Sequence, residues 1–271
     1  MTLNYEEQRI LIWGKTYPEL SKKHFETVCT AGVLEDGRVV RLYPISYRYL
    51  NDQFSLYQWI NARIAKNPND ARPESYKIDC ESIKIGEVVK TTSDEWGRRA
   101  EIMFRNPAWV FETMEKLAEA QKANRTSIGV VAPRKIIKVE VVPRSDDEKQ
   151  SFQEKFEEIK KELSAKLLQI DMFEQSIPEE MKTLDFLGSR LQVSWLCHNP
   201  DCNGHKMQVL DWGVCELQRR DGDATALKRM LELCNLEKYA LRFFLGNLYL
   251  HPGSFMIVGM WYPKLANLLF H

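Results

Sequence analysis

The sequence predicts an α+β protein of two domains: a small β-barrel in the first half, a charged helical linker, and a second α+β domain carrying a metal-binding loop. Three observations predict it. Short β-branched and aromatic runs alternate with polar turns as far as about residue 143, a dense Glu/Lys stretch with an apolar stripe follows, and two thiols and two imidazoles crowd into nine residues near position 200. At 271 residues the chain can fill one large core or two modest ones. The expected divisions are 1–143 for the barrel, 144–170 for the linker and 171–271 for the second domain.

Strands are expected at 10–13, 28–34, 38–43, 59–65, 83–90 and 136–142, a spacing that suits a small barrel. The pair around Glu35-Asp36-Gly37 is the clearest, because Asp-Gly supplies the positive backbone dihedrals of a tight turn between extended segments. A helix over about 107–123 interrupts the pattern, with Val110, Met114, Leu117 and Ala118 facing inward. Residues 145–169 read as the linking helix. Phe152, Phe156, Ile159, Leu163 and Leu167 share one face, and Glu and Lys exchange i to i+4 contacts on the other. Beyond it, strands at 191–196 and 207–210 flank the Cys/His loop and a helical stretch runs over 224–244. A hairpin closes the chain, with strands 248–251 and 255–261 around Pro252-Gly253-Ser254.

Composition narrows the function classes. Lys plus Arg equals Asp plus Glu at 38 each, so no global positive field exists, and any nucleic-acid contact must come from a local patch. The polar start, residues 1–7, lacks the apolar core of a signal peptide, and no apolar run reaches bilayer length. The expectation is a soluble, cytoplasmic protein with no membrane partner. Six scattered cysteines fit reduced thiols better than a disulfide framework.

Cys197, Cys202 and His205 have the close spacing of a zinc knuckle, in which thiolate sulfur and imidazole nitrogen fill a tetrahedral shell and Gly204 allows the turn. The fourth ligand is open between His198, whose side chain diverges from its neighbour Cys197, and Cys215, which requires the chain to fold back. Cys215 completes the expected set. A closed structural zinc is the expected cofactor, because such an ion contributes folding free energy to a small region.

Mixed basic and aromatic groups end several strands of the first half: Lys15-Thr16-Tyr17-Pro18, Arg41-Leu42-Tyr43-Pro44, Tyr47-Arg48-Tyr49, Arg72-Pro73-Glu74-Ser75-Tyr76 and Trp96-Gly97-Arg98-Arg99. Bases stack on Tyr or Trp while guanidinium groups satisfy phosphates along the same groove. The expected nucleic-acid-binding residues are therefore Lys15, Tyr17, Arg41, Tyr43, Arg48, Arg72, Trp96, Arg98 and Arg99. The competing account places the aromatics in the core and pairs the arginines with Glu74, Glu26 or Asp36 at the surface.

The stretch Thr27-Val28-Cys29-Thr30-Ala31-Gly32-Val33, followed by Asp36-Gly37-Arg38-Val39-Val40-Arg41-Leu42-Tyr43-Pro44, resembles the opening of the dual OB-fold domain family of bacterial conflict and phage-defence systems. The resemblance covers about the first third of the chain. It implies an OB-like barrel, a second barrel beside it, and the handling of nucleic acid, with Arg41 in the family's strand-closing basic position.

Three functions are weighed. The first is a nucleic-acid-binding module, with DNA as partner, that uses the aromatic and basic groove. The second is a DNA-processing hydrolase, a nuclease or base-excising glycosylase, with Asp211 and Glu216 as general acid/base or metal-holding groups near the Cys/His loop. An Asp after an apolar strand more often caps a turn or the following helix, and no P-loop, Gly-x-Ser-x-Gly or His-Glu-x-x-His motif occurs. The third is a protein-interaction scaffold presenting Met256, Met260, Trp261 and Tyr262, although such positions in a strand are more often core. The first function is the expected one.

Overall fold

The computed structural model describes residues 3–21, 25–46, 54–91, 96–170 and 186–268. The first half runs through β1 (Glu6–Lys15), β2 (Glu19–Ser21), β3 (Phe25–Leu34), β4 (Val39–Ser46), β5 (Gln58–Lys66), β6 (Ser75–Ile78) and β7 (Lys84–Val88). β1, β3, β4, β6 and β5 pair in that order, and β5 returns to β1, so five strands close a barrel. Numbered along the chain, the barrel order is 1-2-3-5-4-1, antiparallel throughout except between the third and fifth strands. β2 and β7 are additions to β3 and β5. Closure removes the open edges a sheet would otherwise expose, and it encloses Ile10, Ile12, Val28, Leu42, Ile45 and Ile60, each fully buried. Gly37, at φ +84°, makes the turn expected between β3 and β4. At Gly32 a Cβ would lie 2.5 Å from a methyl of Ile10, so the approach of β3 to β1 needs glycine.

The chain continues through α1 (Gly97–Met103), β8 (Val110–Phe111), α2 (Met114–Asn124), β9 (Ile128–Val131), β10 (Lys135–Pro143) and α3 (Asp146–Ile170). It ends with β11 (Ser189–Leu196), β12 (His205–Gln208), α4 (Trp212–Asp221), α5 (Asp223–Leu233), β13 (Arg242–Asn247), β14 (Phe255–Trp261) and the short α6 (Leu265–Leu268). Two sheets form, β10-β11-β12 and β14-β13-β9-β8, and a bridge between Val209 and Ile257 joins them. Their core holds Leu191, Val193, Trp195, Met230, Phe243, Leu245 and Ile257.

Several expected elements fall elsewhere. The helix expected from 107 starts at Met114, because Thr113 Oγ1 accepts the Lys116 amide at 3.3 Å. Val110 therefore lies in a strand, not on a helix face. The strand expected at 136–142 in the barrel pairs instead with β11, so residues from 107 onward fold with the second half. The helix expected to reach 244 stops at Leu233, and Phe243 and Phe244 are buried strand residues. The expected hairpin strand at 248–251 is a connection, with Tyr249 and Leu250 exposed. α3 occupies nearly its expected span but packs on β2 and β3 with Ile159 buried, so it is not a free-standing linker. The side chains of Leu163 and Leu167 lie outside the described residues.

The two halves share one apolar core. Leu11, Trp13 and Val33 of the barrel pack with Trp109, Val130, Phe244, Val258 and Trp261 of the second half. Trp13 sits 4.7 Å from Phe244 and 5.3 Å from Trp109, ring centre to ring centre. Among the described residues no helix is long and apolar enough to cross a membrane.

Candidate metal centre and interdomain cleft

β11 and β12 run antiparallel with Trp195 opposite His205, which puts Cys197, just past the end of β11, beside the first residue of β12. The connecting loop turns tightly. The Cys202 amide donates to the Asn199 carbonyl at 3.1 Å, the Asp201 amide to Asn199 Oδ1 at 3.0 Å, and Gly204 adopts φ +103°. Cys202 Sγ and Cys197 Sγ consequently lie 3.2 Å and 3.4 Å from His205 Nε2. A fourth group arrives from α2: Glu115, in its first turn, places Oε2 3.4 Å from Cys197 Sγ and Oε1 4.0 Å from His205 Nε2. Ligand atoms of Glu115, Cys197, Cys202 and His205 all fall within 4.8 Å of one another. Donors around a tetrahedral zinc, bonded at about 2.0 to 2.3 Å, stand about 3.5 Å apart, so the cluster has the dimensions of a metal shell.

The surroundings shift the protonation of these groups in different directions. Burial pushes the Cys197 thiol up, opposed by backbone amides of Met114 and Asn199 that favour its thiolate. Burial lowers His205, keeping the imidazole neutral, while the charge of Glu115 pulls the other way. Burial raises the Glu115 carboxyl, but hydrogen bonds from its own amide and from Asn199, Cys197 and Thr113 together hold it below the usual carboxylate range. Deprotonated sulfur, neutral imidazole and carboxylate are the forms that bind a metal ion.

Of the residues proposed from sequence as metal ligands, Cys197, Cys202 and His205 meet here and Cys215 does not. Cys215 is in α4, buried, with its thiol directed at the Val209 carbonyl at 3.7 Å and pushed up by burial. His198 is exposed. Glu115 could not be found from spacing, since 82 residues separate it from Cys197.

Asp211 and Glu216 are separate from this centre. Asp211 is the N-cap of α4, its Oδ1 accepting the Val214 amide at 3.0 Å, and burial raises its carboxyl to about 6. Glu216 pairs with Arg219 at 2.6 Å. Both line a cavity of about 350 Å³ with Tyr57, Trp212 and Tyr262.

The expected nucleic-acid residues divide. Lys15 is buried: its ammonium donates to the Phe54 carbonyl, lies 4.3 Å from that ring, and is lowered by burial to about 8, so it is not presented to a phosphate. Trp96 and Arg99 join the aromatic core. Trp96 packs 4.7 Å from Trp261, and Arg99 stands 3.8 Å over Tyr57 while donating to the Val89 carbonyl at 2.8 Å. Arg98 is exposed at the start of α1. Tyr17 lies near Trp212, ring centres 6.3 Å apart. Arg48 lies outside the described residues.

Arg41, Tyr43 and Arg72 meet in a cleft of about 380 Å³ between the barrel and the β13–β14 hairpin. The barrel side comes from the β1–β3 connection (Thr16, Glu19), from β3 and β4 (Thr27, Cys29, Arg41, Tyr43) and from the β5–β6 connection (Asn67, Asn69, Asp70, Arg72). The other wall includes Asn247, Tyr249 and Val258. Arg72 is fixed: Nε and Nη2 hold the Asp70 carboxylate at 2.6 to 3.0 Å, and Nη1 reaches the Asn247 carbonyl at 3.2 Å. Burial would raise Asp70, but the Arg72 hydrogen bonds hold it below the usual carboxylate range.

Residues 110–271, more than half of the chain, match the model of a family described as Domain of unknown function (DUF8757). The chain belongs to the DUF8757 family. Residues 6–105 match a second model, Domain of unknown function (DUF8758). The DUF8757 stretch thus carries all four metal-centre residues, while the DUF8758 stretch carries the barrel. No curated protein matches the chain.

Proposed function

We propose that this chain is a nucleic-acid-binding module, with DNA as its first expected partner, that binds on the ligand face of an OB-like barrel. The strand order 1-2-3-5-4-1, with its third and fifth strands parallel, is that of OB folds. One observation carries the reading. OB barrels bind oligonucleotides on strands 2 and 3 and on the loops between strands 1 and 2 and between strands 4 and 5, and those four segments supply the barrel side of the cleft. Arg41, Tyr43 and Arg72, chosen from sequence for their chemistry, sit on that face. The Glu115, Cys197, Cys202 and His205 cluster would hold a structural zinc, which would fasten the first turn of α2 to the β11–β12 hairpin.

Mobility shift of labelled single-stranded and double-stranded DNA across salt tests the proposal. A shift that weakens steeply with salt is expected, because neutralised phosphates release counterions. Tyr43→Ala should weaken it by about 1 to 3 kcal/mol of stacking. No shift, or one indifferent to salt, refutes it, and the same samples on a denaturing gel reveal any cleavage. The resemblance of 27–44 to conflict-system proteins supports a setting in bacterial defence, which phage plating on cells with and without the chain would test.

A further inference from the structure

We infer that the cleft is a nucleotide pocket that accepts one nucleoside phosphate end-on, phosphate toward Arg41 and base against Tyr43 and Tyr249. This rests on the nucleic-acid reading and narrows it to a strand end or a free nucleotide, which share that chemistry.

Arg41 is the first support. Only 8 % exposed, its guanidinium meets neutral acceptors alone: Nη2 donates to the Ser127 carbonyl at 2.9 Å and hydroxyl at 3.4 Å, and Nη1 approaches Cys29 Sγ at 3.5 Å. Its Nε has no partner, and among the described residues no carboxylate hydrogen-bonds it. The Glu74 carboxylate accepts from the Ser127 amide and hydroxyl at 3.2 and 2.8 Å and so faces Arg41 only across that serine; a phosphate entering the cleft would give the buried guanidinium a directly bonded anion. The two carboxylates lining the cleft do not fill that role: Asp70 is held by Arg72, and Glu19 is exposed.

The rings are the second support. Tyr43 on β4 and Tyr249 in the β13–β14 connection are 40 % and 59 % exposed although both line the cleft. Tyr249 bridges its mouth, donating from its hydroxyl to the Asn69 carbonyl at 3.3 Å and lying 5.5 Å from the Arg72 guanidinium. Partly exposed rings on opposite walls of a concave site suit a flat base. The third support is the hairpin itself. It covers one side of the barrel's ligand face, which favours a single nucleotide over a strand running through.

The test titrates full-length protein by calorimetry with one short single-stranded oligonucleotide in 5′-phosphorylated and 5′-hydroxyl forms, with nucleoside 5′-monophosphates, with nucleosides, and with inorganic phosphate. In parallel, alkylation of Cys29 by iodoacetamide is followed by peptide mass spectrometry, because its sulfur lies in the cleft beside Arg41. The expected result is binding at least about tenfold tighter for a phosphorylated ligand than for its dephosphorylated counterpart, with Cys29 protected. Tyr249→Ala should weaken binding about tenfold at unchanged melting temperature. Arg41→Gln should erase the phosphate preference; should that variant fail to fold, Tyr249→Ala and Cys29 protection still decide. Equal affinity with and without the phosphate, or binding that leaves Cys29 alkylation unchanged, overturns the pocket but not the broader reading. Inorganic phosphate binding as tightly as a monophosphate overturns the role of the base. Monophosphate binding without any oligonucleotide binding keeps the pocket and overturns the nucleic-acid reading.

Discussion

The candidate metal cluster and the interdomain cleft differ in chemistry and in construction. In the first, two sulfurs, an imidazole and a carboxylate converge on a common point with the spacing of a metal shell. In the second, a buried guanidinium hydrogen-bonds only neutral atoms directly, the feature on which the proposed phosphate contact rests. The first is almost entirely local, with three of its four groups in nine residues; the second is assembled from segments between Thr16 and Val258. The metal-sized cluster thus draws on one loop and one distant carboxylate, whereas the cleft draws on both halves of the chain.

The contrast breaks most decisively at Cys197. Cys197→Ser should abolish bound metal and lower stability by on the order of 3 kcal/mol or more, read as metal content by mass spectrometry and as a thermal melt. Unchanged metal content would remove the centre from the account. Glu115→Gln comes next: metal affinity should fall at least about tenfold in a competition titration, whereas Cys215→Ala should leave metal stoichiometry intact. Equal effects of the two substitutions would reverse the assignment of the fourth ligand.

A pH effect of on the order of 2 kcal/mol is expected from Asp211, which belongs to neither site. Its folded pKa, raised by burial to about 6, exceeds the unfolded value of about 3.9, so the native state holds the extra proton and stability falls as pH rises from about 4 to about 6. Denaturant melts across that range should show the fall, and Asp211→Asn should flatten it. The smallest change sharpens the comparison. Thr113→Ala removes the cap of the helix that delivers Glu115, and should cost about 1 kcal/mol and weaken metal binding, with nucleotide binding unaffected.

Legibility in the sequence followed this same division. The Asp36-Gly37 turn, the knuckle spacing and the capping role open to Asp211 are short-range signals, and each is visible in a few neighbouring residues. Glu115 carried no such signal, because one acidic residue in the first turn of a helix is ordinary. Phe243 and Phe244 continued an apolar helical pattern, yet they lie in a strand because β13 is sandwiched between β9 and β14 and buried on both faces. The strand at 136–142 looked like one more barrel strand. Its pairing with β11 is a matter of topology that alternation alone does not encode.

The aromatic core shared by the two halves has an optical consequence. Trp13, Trp59, Trp96, Trp109 and Trp261, five of the seven tryptophans, lie in or against that one cluster. Intrinsic fluorescence of this protein will therefore report chiefly on the seam between its halves, and a ligand that parts or tightens them should change the emission before either half unfolds.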